Sequence, residues 1–213
     1  VDVQAGAVIN AKDATIEATI HDDITANTTS GSATVKAIVV TVANTPEVKL
    51  AGPLDLTGNL FAKAGSDITI DAQTVPKDSG STSTSDAAIA VSIVKSAPTL
   101  TVSGGSITAD GTVSLLADNK VDVTDAAKGN KGGSDGDGAG ASGAALGVTV
   151  LWGDTAAKIT GGSIDAAGVT LSATSDRTAT TIANATAGGS DSNSGNNESE
   201  KRLADPNPNK AND

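Results

Sequence analysis

The sequence predicts an all-β protein whose pattern best fits a parallel β-solenoid, and three observations lead to this fold class. Trp and Phe occur once each among the 213 residues and Tyr is absent, so the chain lacks the side chains that usually bury the largest areas. Apolar residues alternate with a period of two, whereas no stretch of helical length shows a 3.6-residue period. Similar tracts also recur along the chain, as in proteins whose core is thin and repeated.

The repeat is visible as residue identity. The tract from Ile89 to Ile107 aligns without a gap with the tract from Leu146 to Ile164, which lies 57 residues later, and both tracts end in Gly-Gly-Ser-Ile. A further tract, from Ile38 to Leu54, aligns with small gaps, and residues 8–19 resemble the end of a preceding copy. We therefore predict a solenoid over 1–186, with one partial and three fuller repeats of about 55 residues. Their approximate bounds are 1–32, 33–86, 87–143 and 144–186.

Each fuller repeat is predicted to contain two groups of strands in a fixed order, because β-branched residues and Thr fill both groups. Within the second group, we expect turns at Asp110-Gly111 and Ala167-Gly168, since glycine reaches positive φ without a steric penalty. The alternating residues of the first group are Ile38, Val40 and Val42, then Ile89, Val91 and Ile93, then Leu146, Val148 and Val150; those of the second group include Ile107, Val113 and Leu115, then Ile164, Val169 and Leu171.

Polar inserts rich in Gly, Ser and Asp interrupt the chain once per repeat, just before the first strand group. They begin at Asn27, Lys77 and Lys128, and the tail at 187–213 has the composition of the next insert in the series. A stack of repeats would project one flexible loop per repeat from the same face. We expect the tail to be a flexible inter-repeat loop, because it is too polar to form a core alone.

A solenoid coil uses about 20 residues and advances by about 4.8 Å, so each repeat is expected to hold two or three coils. Inward positions would stack on identical positions above and below, with Ile on Ile and Ala on Ala. The alternative is a string of small β-sandwiches, but such modules usually need a large central hydrophobic residue. Only one repeat has a Trp, Trp152, so the solenoid is the preferred prediction.

Two tracts carry a resemblance to a known family. The pattern GGSITADGTVSLLA, which begins at Gly104, and its counterpart GGSIDAAGVTLSA, which begins at Gly161, resemble repeats of large bacterial filamentous adhesins. These adhesins are the filamentous haemagglutinin type and the similar leukotoxin-type surface proteins, and the resemblance covers about residues 8–186. The resemblance implies a right-handed parallel β-helix stalk that is exported and displayed on a bacterial cell surface. It assigns no functional residue, because the matching positions are structural.

The composition excludes several functional classes. A net charge of −11 with only two Arg argues against nucleic-acid binding, which needs clustered basic residues. The absence of Cys excludes disulfides and thiolate chemistry, and no apolar run approaches the roughly 18 residues of a membrane helix. The acidic surface is expected to keep the protein soluble and to discourage sideways association. The chain starts without Met or a signal peptide, so we expect a segment or processed product of a longer protein.

Four places are candidate sites. Asp135 and Asp137 lie in a Gly-rich tract with many oxygen ligands, and they form a weak candidate for a calcium contact; a solvated loop is preferred. His21 beside two Asp residues is expected at a surface turn rather than in a metal or acid–base site. Arg177 would belong to a β-helix lyase only if further acidic and basic residues converged on it. Trp152 replaces a Lys of the preceding copy, which indicates a partly exposed position; packing is preferred over a carbohydrate contact.

We predict a non-catalytic structural or adhesive module of an extracellular bacterial filament or stalk, which holds a binding region away from the cell or presents loops. The expected partners are neighbouring repeats of the same chain or like chains, and a cell-surface or carbohydrate ligand. We expect no cofactor, nucleic acid or membrane span in this segment. A polysaccharide-binding or polysaccharide-active β-helix is an alternative, and it would need charged residues that converge in a groove. An ice- or mineral-binding surface is a further alternative, and it would need outward Thr at equal positions in every coil.

Overall fold

The structure, a computed structural model, describes residues 1–28, 35–74, 85–129 and 142–185. Within these ranges, the alternating residues form thirteen strands, and all of the strand pairings are parallel. The predicted all-β class is confirmed. The strands are β1 (Asp2–Val3), β2 (Ile9–Ala11), β3 (Ala14–Asn27), β4 (Val35–Asn44), β5 (Glu47–Leu50), β6 (Leu54–Leu56), β7 (Leu60–Gln73), β8 (Ser85–Ser96), β9 (Thr99–Val102), β10 (Ser106–Gly129), β11 (Ser142–Trp152), β12 (Ala156–Ile159) and β13 (Ser163–Ala185).

The strands belong to three sheets, each of which joins corresponding strands of successive copies. Sheet A has the order β1-β5-β9-β12, and sheet C has the order β4-β8-β11. In sheet B, β10 pairs with β6 and β7 on one side and with β13 on the other, while β2 and β3 pair with β6 and β7. From β4 onward, the chain passes through sheets C, A and B in the same order in each copy.

Each copy forms a single layer, so the expected two or three coils per copy are wrong. That expectation assumed short strands, but β10 has 24 residues and β13 has 23. Such strands are several times longer than the common length of about five or six residues. One pass through the three sheets therefore uses the whole copy, and registered partners such as Ile107 and Ile164 lie one repeat apart.

The core lies between sheet B on one side and sheets A and C on the other. Sheet A packs on the first half of the long sheet B strands, where Leu100 shares a cluster with Leu115. Sheet C packs on the second half, where Val40 shares a cluster with Val123. Leu100, Leu115 and Val123 are fully buried. Small aliphatic side chains suffice for this core because the second and third layers each add a buried row, between the more exposed first and fourth layers.

The inward residues of sheet C differ from the expected stacking of Ile on Ile. Ile38 pairs in register with Ala90 rather than with Ile89, so β4 and β8 are shifted by one residue relative to the sequence alignment. Ala90 faces the interior and is fully buried, whereas Ile89 faces outward and is half-buried. The reason is space, because Ala88 and Ala90 form a small cluster with Ala127 of β10 where the two sheets meet closely.

Glycines with positive φ mark the corners before β10 and β13. Gly105 and Gly162 have φ values of 70° and 86°. A Cβ on Gly105 would lie 2.6 Å from the carbonyl oxygen of Gly52 in the preceding layer, and Gly162 approaches Gly105 in the same way. Only glycine combines this φ with such a close approach. The turns expected at Gly111 and Gly168 are wrong, because β10 and β13 continue through these positions with a register irregularity.

The sidedness of β10 can be tested at two adjacent leucines. Leu115 is fully buried, whereas Leu116 is half-buried on the outer face. We expect Leu115→Ala to lower the free energy of unfolding by about 2–5 kcal/mol, since it leaves a cavity. The matched control Leu116→Ala should lower it by less than about 1 kcal/mol. Urea unfolding followed by circular dichroism measures both, and equal losses would contradict the assigned faces.

Candidate functional site

The outer face of sheet B is polar and carries charges in registered rows. His21, Asp67, Lys120 and Asp176 occupy one row across β3, β7, β10 and β13. His21 Nδ1 lies 3.3 Å from Asp67 Oδ2, and Lys120 Nζ lies 3.9 Å from Asp67 Oδ1. Because the His21 side chain is 68% exposed, its pairing contributes little to stability. Lys120 lies between Asp67 and Asp176 in this row, so opposite charges face each other between these layers.

Asp118 on the same face bridges three layers. Thr174 Oγ1 of β13 donates a hydrogen bond of 2.7 Å to Asp118 Oδ1, and Lys63 Nζ of β7 lies 3.2 Å from Asp118 Oδ2. The Thr174 hydrogen bond lowers the pKa of Asp118, partial burial opposes this shift, and Lys63 adds to it, so the pKa lies below its ordinary value. The carboxylate therefore acts as a link between β7, β10 and β13.

A polar seam runs through the interior where sheets A and C meet. Ser96 Oγ donates a hydrogen bond of 2.8 Å to Ser66 Oγ. In the orientation that the hydrogen-bond network favours, the Asn119 amide nitrogen donates to Ser96 Oγ, at 2.6 Å. The Asn119 amide oxygen accepts from Arg177 Nη2 and Nε, at 2.9 and 3.1 Å. Arg177 Nη2 also donates to the carbonyl oxygens of Ser96 and Gly153, at 3.0 and 2.5 Å. The guanidinium thus closes the seam in the fourth layer.

A buried carboxylate lies between sheets B and C. Asp125 is fully buried, and its two oxygens accept hydrogen bonds from Ser92 Oγ, at 2.6 Å, and from Thr149 Oγ1. Thr149 Oγ1 also lies 2.7 Å from Thr181 Oγ1. Ser92 lies in the same layer as Asp125, whereas Thr149 and Thr181 lie in the next layer, so the buried carboxylate accepts hydrogen bonds from hydroxyl groups of two adjacent layers. The seam and Asp125 are both used in contacts between layers.

The outer face of sheet C has the opposite chemistry and is the strongest candidate for a functional site. Val39 is 66% exposed, Leu146 is 53% exposed and Trp152 is 44% exposed. Contiguous exposed apolar residues typically mark an interaction surface. We call this surface the apolar face, and it consists of Val35, Ala37, Val39, Thr41 and Ala43 of β4, Ala87, Ile89, Val91, Ile93 and Lys95 of β8, and Ala144, Leu146, Val148, Val150 and Trp152 of β11.

The structure places the sequence-predicted site residues apart from one another. His21 lies within β3, so the expected surface turn is wrong; the strand continues because His21 faces outward while Asp22 faces inward and accepts a hydrogen bond of 2.7 Å from Asn44. Arg177 faces the polar seam. Trp152 pairs in register with Lys95 at the end of the apolar face, and it is partly exposed as this counterpart predicts.

The candidate calcium contact, Asp135 and Asp137, lies outside the described residues, as do most of the predicted loops and the tail at 187–213. In the part of the chain that the structure describes, no group of three or more His, Asp or Glu could hold a metal ion.

The registered rows of sheet B do not form the threonine ladder that ice or mineral binding would need. One row contains Thr25, Asp71, Thr124 and Thr180, so a carboxylate interrupts it in the second layer. Thr99 of sheet A pairs with residues other than Thr in both neighbouring layers. The outward Thr at equal positions in every layer, which an ice- or mineral-binding surface would need, is therefore absent from these rows of the described sheets.

No protein-family model, curated protein or solved structure matches the chain. None of the described segments forms a helix that is long and apolar enough to cross a membrane. The function must therefore be inferred from the layers and their faces.

The link at Asp118 predicts a pH effect. Thr174→Val removes the donating hydroxyl while it keeps the side-chain shape, so we expect the pKa of Asp118 to rise toward its ordinary value. A carboxyl group whose pKa is lower in the folded state than in the unfolded state stabilises the fold at pH values above its unfolded-state pKa. This contribution disappears as the pH falls through the folded-state pKa. The variant should therefore lose less stability on acidification than the wild type.

Carbon-13 NMR titration of the Asp118 carboxyl measures this change directly. Thr170→Val is the matched control, because Thr170 lies on the same strand and pairs with Ser114 rather than with a carboxylate. An Asp118 titration that is the same in Thr174→Val and in the wild type would contradict the assigned link.

Proposed function

We propose that the chain is a structural and adhesive module of an extracellular bacterial filament or stalk, folded as a right-handed parallel β-helix and without catalytic activity. The observation that carries this proposal is the in-register pairing of successive copies, such as Val121 with Ile68 on one side and Arg177 on the other. Each copy adds one layer by the same backbone hydrogen bonds. A body that grows by identical layers of about 4.8 Å is suited to form a long rod.

The polar residues support a stalk better than an enzyme. Arg177, Asn119 and Asp125 are engaged in hydrogen bonds between layers, inside the stack. On the outer face of sheet B, charges are spread along registered rows rather than gathered around a groove. A polysaccharide-active site would need acidic and basic groups that converge on one substrate position.

The positions of the polar inserts support a presenting role for the rod. The inserts precede β4, β8 and β11 in sequence, so one insert comes in the chain just before each strand of sheet C. In this proposal, the rod holds a binding region away from the cell, or it offers the repeated inserts to a cell-surface or carbohydrate partner. Such a repeated display strengthens weak contacts through multivalency.

Surface labelling tests the proposed location. Antibodies raised against the purified chain should bind intact cells of the source bacterium and should be seen by electron microscopy at a distance from the envelope. Protease added to intact cells should remove the signal. Labelling that requires permeabilised cells would overturn the proposal, and a cytoplasmic protein serves as the control for cell integrity.

Insertion of extra copies tests growth by layers. Three additional copies of residues 87–143, placed after residue 143, should lengthen the particle by only about 14 Å, because each copy adds one interstrand spacing. Small-angle X-ray scattering measures the length, and circular dichroism should show strand signal in proportion to the added residues. A Gly/Ser insert of equal length is the control and should add no strand signal. An increase several times larger would indicate separate modules and would contradict the proposed β-helix.

A further inference from the structure

We propose that the apolar face is a self-association surface, on which the same face of a second copy of the chain packs. This inference goes beyond the filament role, because it concerns sideways contacts rather than growth along the stack. Val39, Leu146 and Val150 of the two edge strands are each more than 40% exposed, so no described element covers them. The residues form five registered rows across three strands.

The chemistry of this face fits a flat aliphatic partner. Among its fifteen positions, five on each strand, Lys95 is the single charged residue. The outer face of sheet B, by contrast, carries acidic or basic groups in several rows, including Glu17, Lys63 and Asp122. Removing a surface this rich in Val and Ile from water lowers the free energy of the protein. The partner must therefore offer a similar uncharged sheet face.

The rest of this chain cannot supply such a cover. Outside the described residues, the sequence contains only two large aliphatic residues, Val75 and Leu203, and the remainder is Gly, Ala, Ser, Thr, Asn, Pro and charged residues. Two aliphatic side chains cannot cover three strands of Val, Ile and Leu. The same face of a second copy offers a matching aliphatic surface, and two sheets can pack face to face at about 10 Å.

The area of the face predicts a weak, reversible contact. Three strands spaced by about 4.8 Å, with about 3.3 Å per residue over ten residues, give a face of about 480 Å² per copy. Two copies would bury about 950 Å², which lies at the low end for specific protein interfaces. Each further layer would add about 160 Å² per copy, so association should strengthen with the number of layers.

The position of Lys95 selects the orientation of the pair. Lys95 and Trp152 lie together at one end of the face, and Ala87 lies near the other end. If the strands of the two copies ran in the same direction, the two Lys95 side chains would meet and repel each other. When the strands run in opposite directions, Lys95 of each copy lies across the small Ala87 of the other. A two-fold axis along the stacking direction produces this arrangement.

Sedimentation velocity of the purified 213-residue chain, over a concentration series, tests the proposal. We expect reversible dimers at roughly tens to hundreds of micromolar, in keeping with the modest area. Val91→Lys places an unpaired charge at the centre of the face and should weaken association by about tenfold or more. Circular dichroism verifies that this variant is folded.

Thr69→Lys is the charge-matched control. Thr69 faces outward on sheet B in a row with Asp23 and Asp122, so the added Lys changes the net charge equally and meets opposite charges. This control should associate within about twofold of the wild type. A milder second variant, Val39→Ser with Leu146→Ser, alters only exposed positions of the edge strands and should weaken association by at least about threefold.

The fluorescence of Trp152, the single Trp of the chain, reports whether this face is the one involved. Its emission should shift to shorter wavelength as the wild type associates, and it should remain unchanged in Val91→Lys. The proposal is overturned if the wild type stays monomeric at all concentrations, or if Val91→Lys and Thr69→Lys associate equally. A monomer in which Trp152 is already shielded from acrylamide would overturn it too, because another part of the same chain would then cover the face.

Association of the purified chain does not depend on where the protein lies on a cell. The surface-labelling experiment and this experiment can therefore fail separately.

Discussion

The structure depends on one constraint, which is that each strand is hydrogen-bonded in register to the corresponding strand of the copy before or after it. Within the described ranges, registered partners such as Leu115 and Leu171 lie a whole repeat apart in sequence. Buried backbone N–H and C=O groups require partners, so a layer is complete only when its neighbours are folded. Stability is therefore shared between layers, as in other repeat proteins.

The same constraint acts at the irregularity within sheet B, between β2 and β3, between β6 and β7, and around Gly111 of β10, where side chains replace missing strand partners. Asp13 Oδ1 accepts a hydrogen bond of 2.8 Å from the backbone N–H of Asn59 in the next layer, and Asn59 Oδ1 accepts one of 2.9 Å from the N–H of Thr112 in the layer after that. At this position, a short polar side chain of one layer thus accepts a hydrogen bond from the backbone of the next layer. The N–H of Gly111 adds a backbone bond at the same irregularity by donating to the carbonyl oxygen of Gly58, at 2.9 Å.

Register determines which side chains lie next to each other in a row. It also explains which features of the fold could be predicted from the sequence. Tracts that match at a spacing of 57 residues can stack in register only as parallel strands, so the all-β class and the parallel pairing were predictable. The number of layers per copy was not, because strand length is invisible in an alternating pattern. The inward side of sheet C was also not predictable, since both alternating sets of β4, Ile38 with Val40 and Ala37 with Val39, are apolar. The space between the sheets decides between them, and it selects the small Ala90 in β8.

The candidate site escaped prediction for the same reason. Ile89, Val91 and Ile93 have the alternation of an inward-facing row, and only the tertiary contacts show that they face outward. The interior polar seam was equally hidden, because Asn119 and Arg177 occupy different rows and meet through Ser96 of another sheet. The sequence did contain a signal for this seam, which is a single polar residue at a position that is aliphatic in another copy. Arg177, for example, stands where the preceding copy has Val121. A partly buried donor of this kind needs fixed acceptors, which the corner carbonyls of Ser96 and Gly153 supply.

The separation of chemistry between the two outer faces changes what the acidic composition implies. A net charge of −11 favours mutual repulsion between copies, yet many of the charged side chains in the described layers lie on sheet B. When two apolar faces pack, four sheets lie in series at spacings of about 10 Å, so the charged faces are about 30 Å apart. The Debye length at physiological ionic strength is about 8 Å, and repulsion over that distance is largely screened. The acidic charge therefore opposes contacts between two sheet B faces, while it leaves the apolar faces free to meet. Only at low salt, where the Debye length reaches about 30 Å, does the charge oppose both kinds of contact.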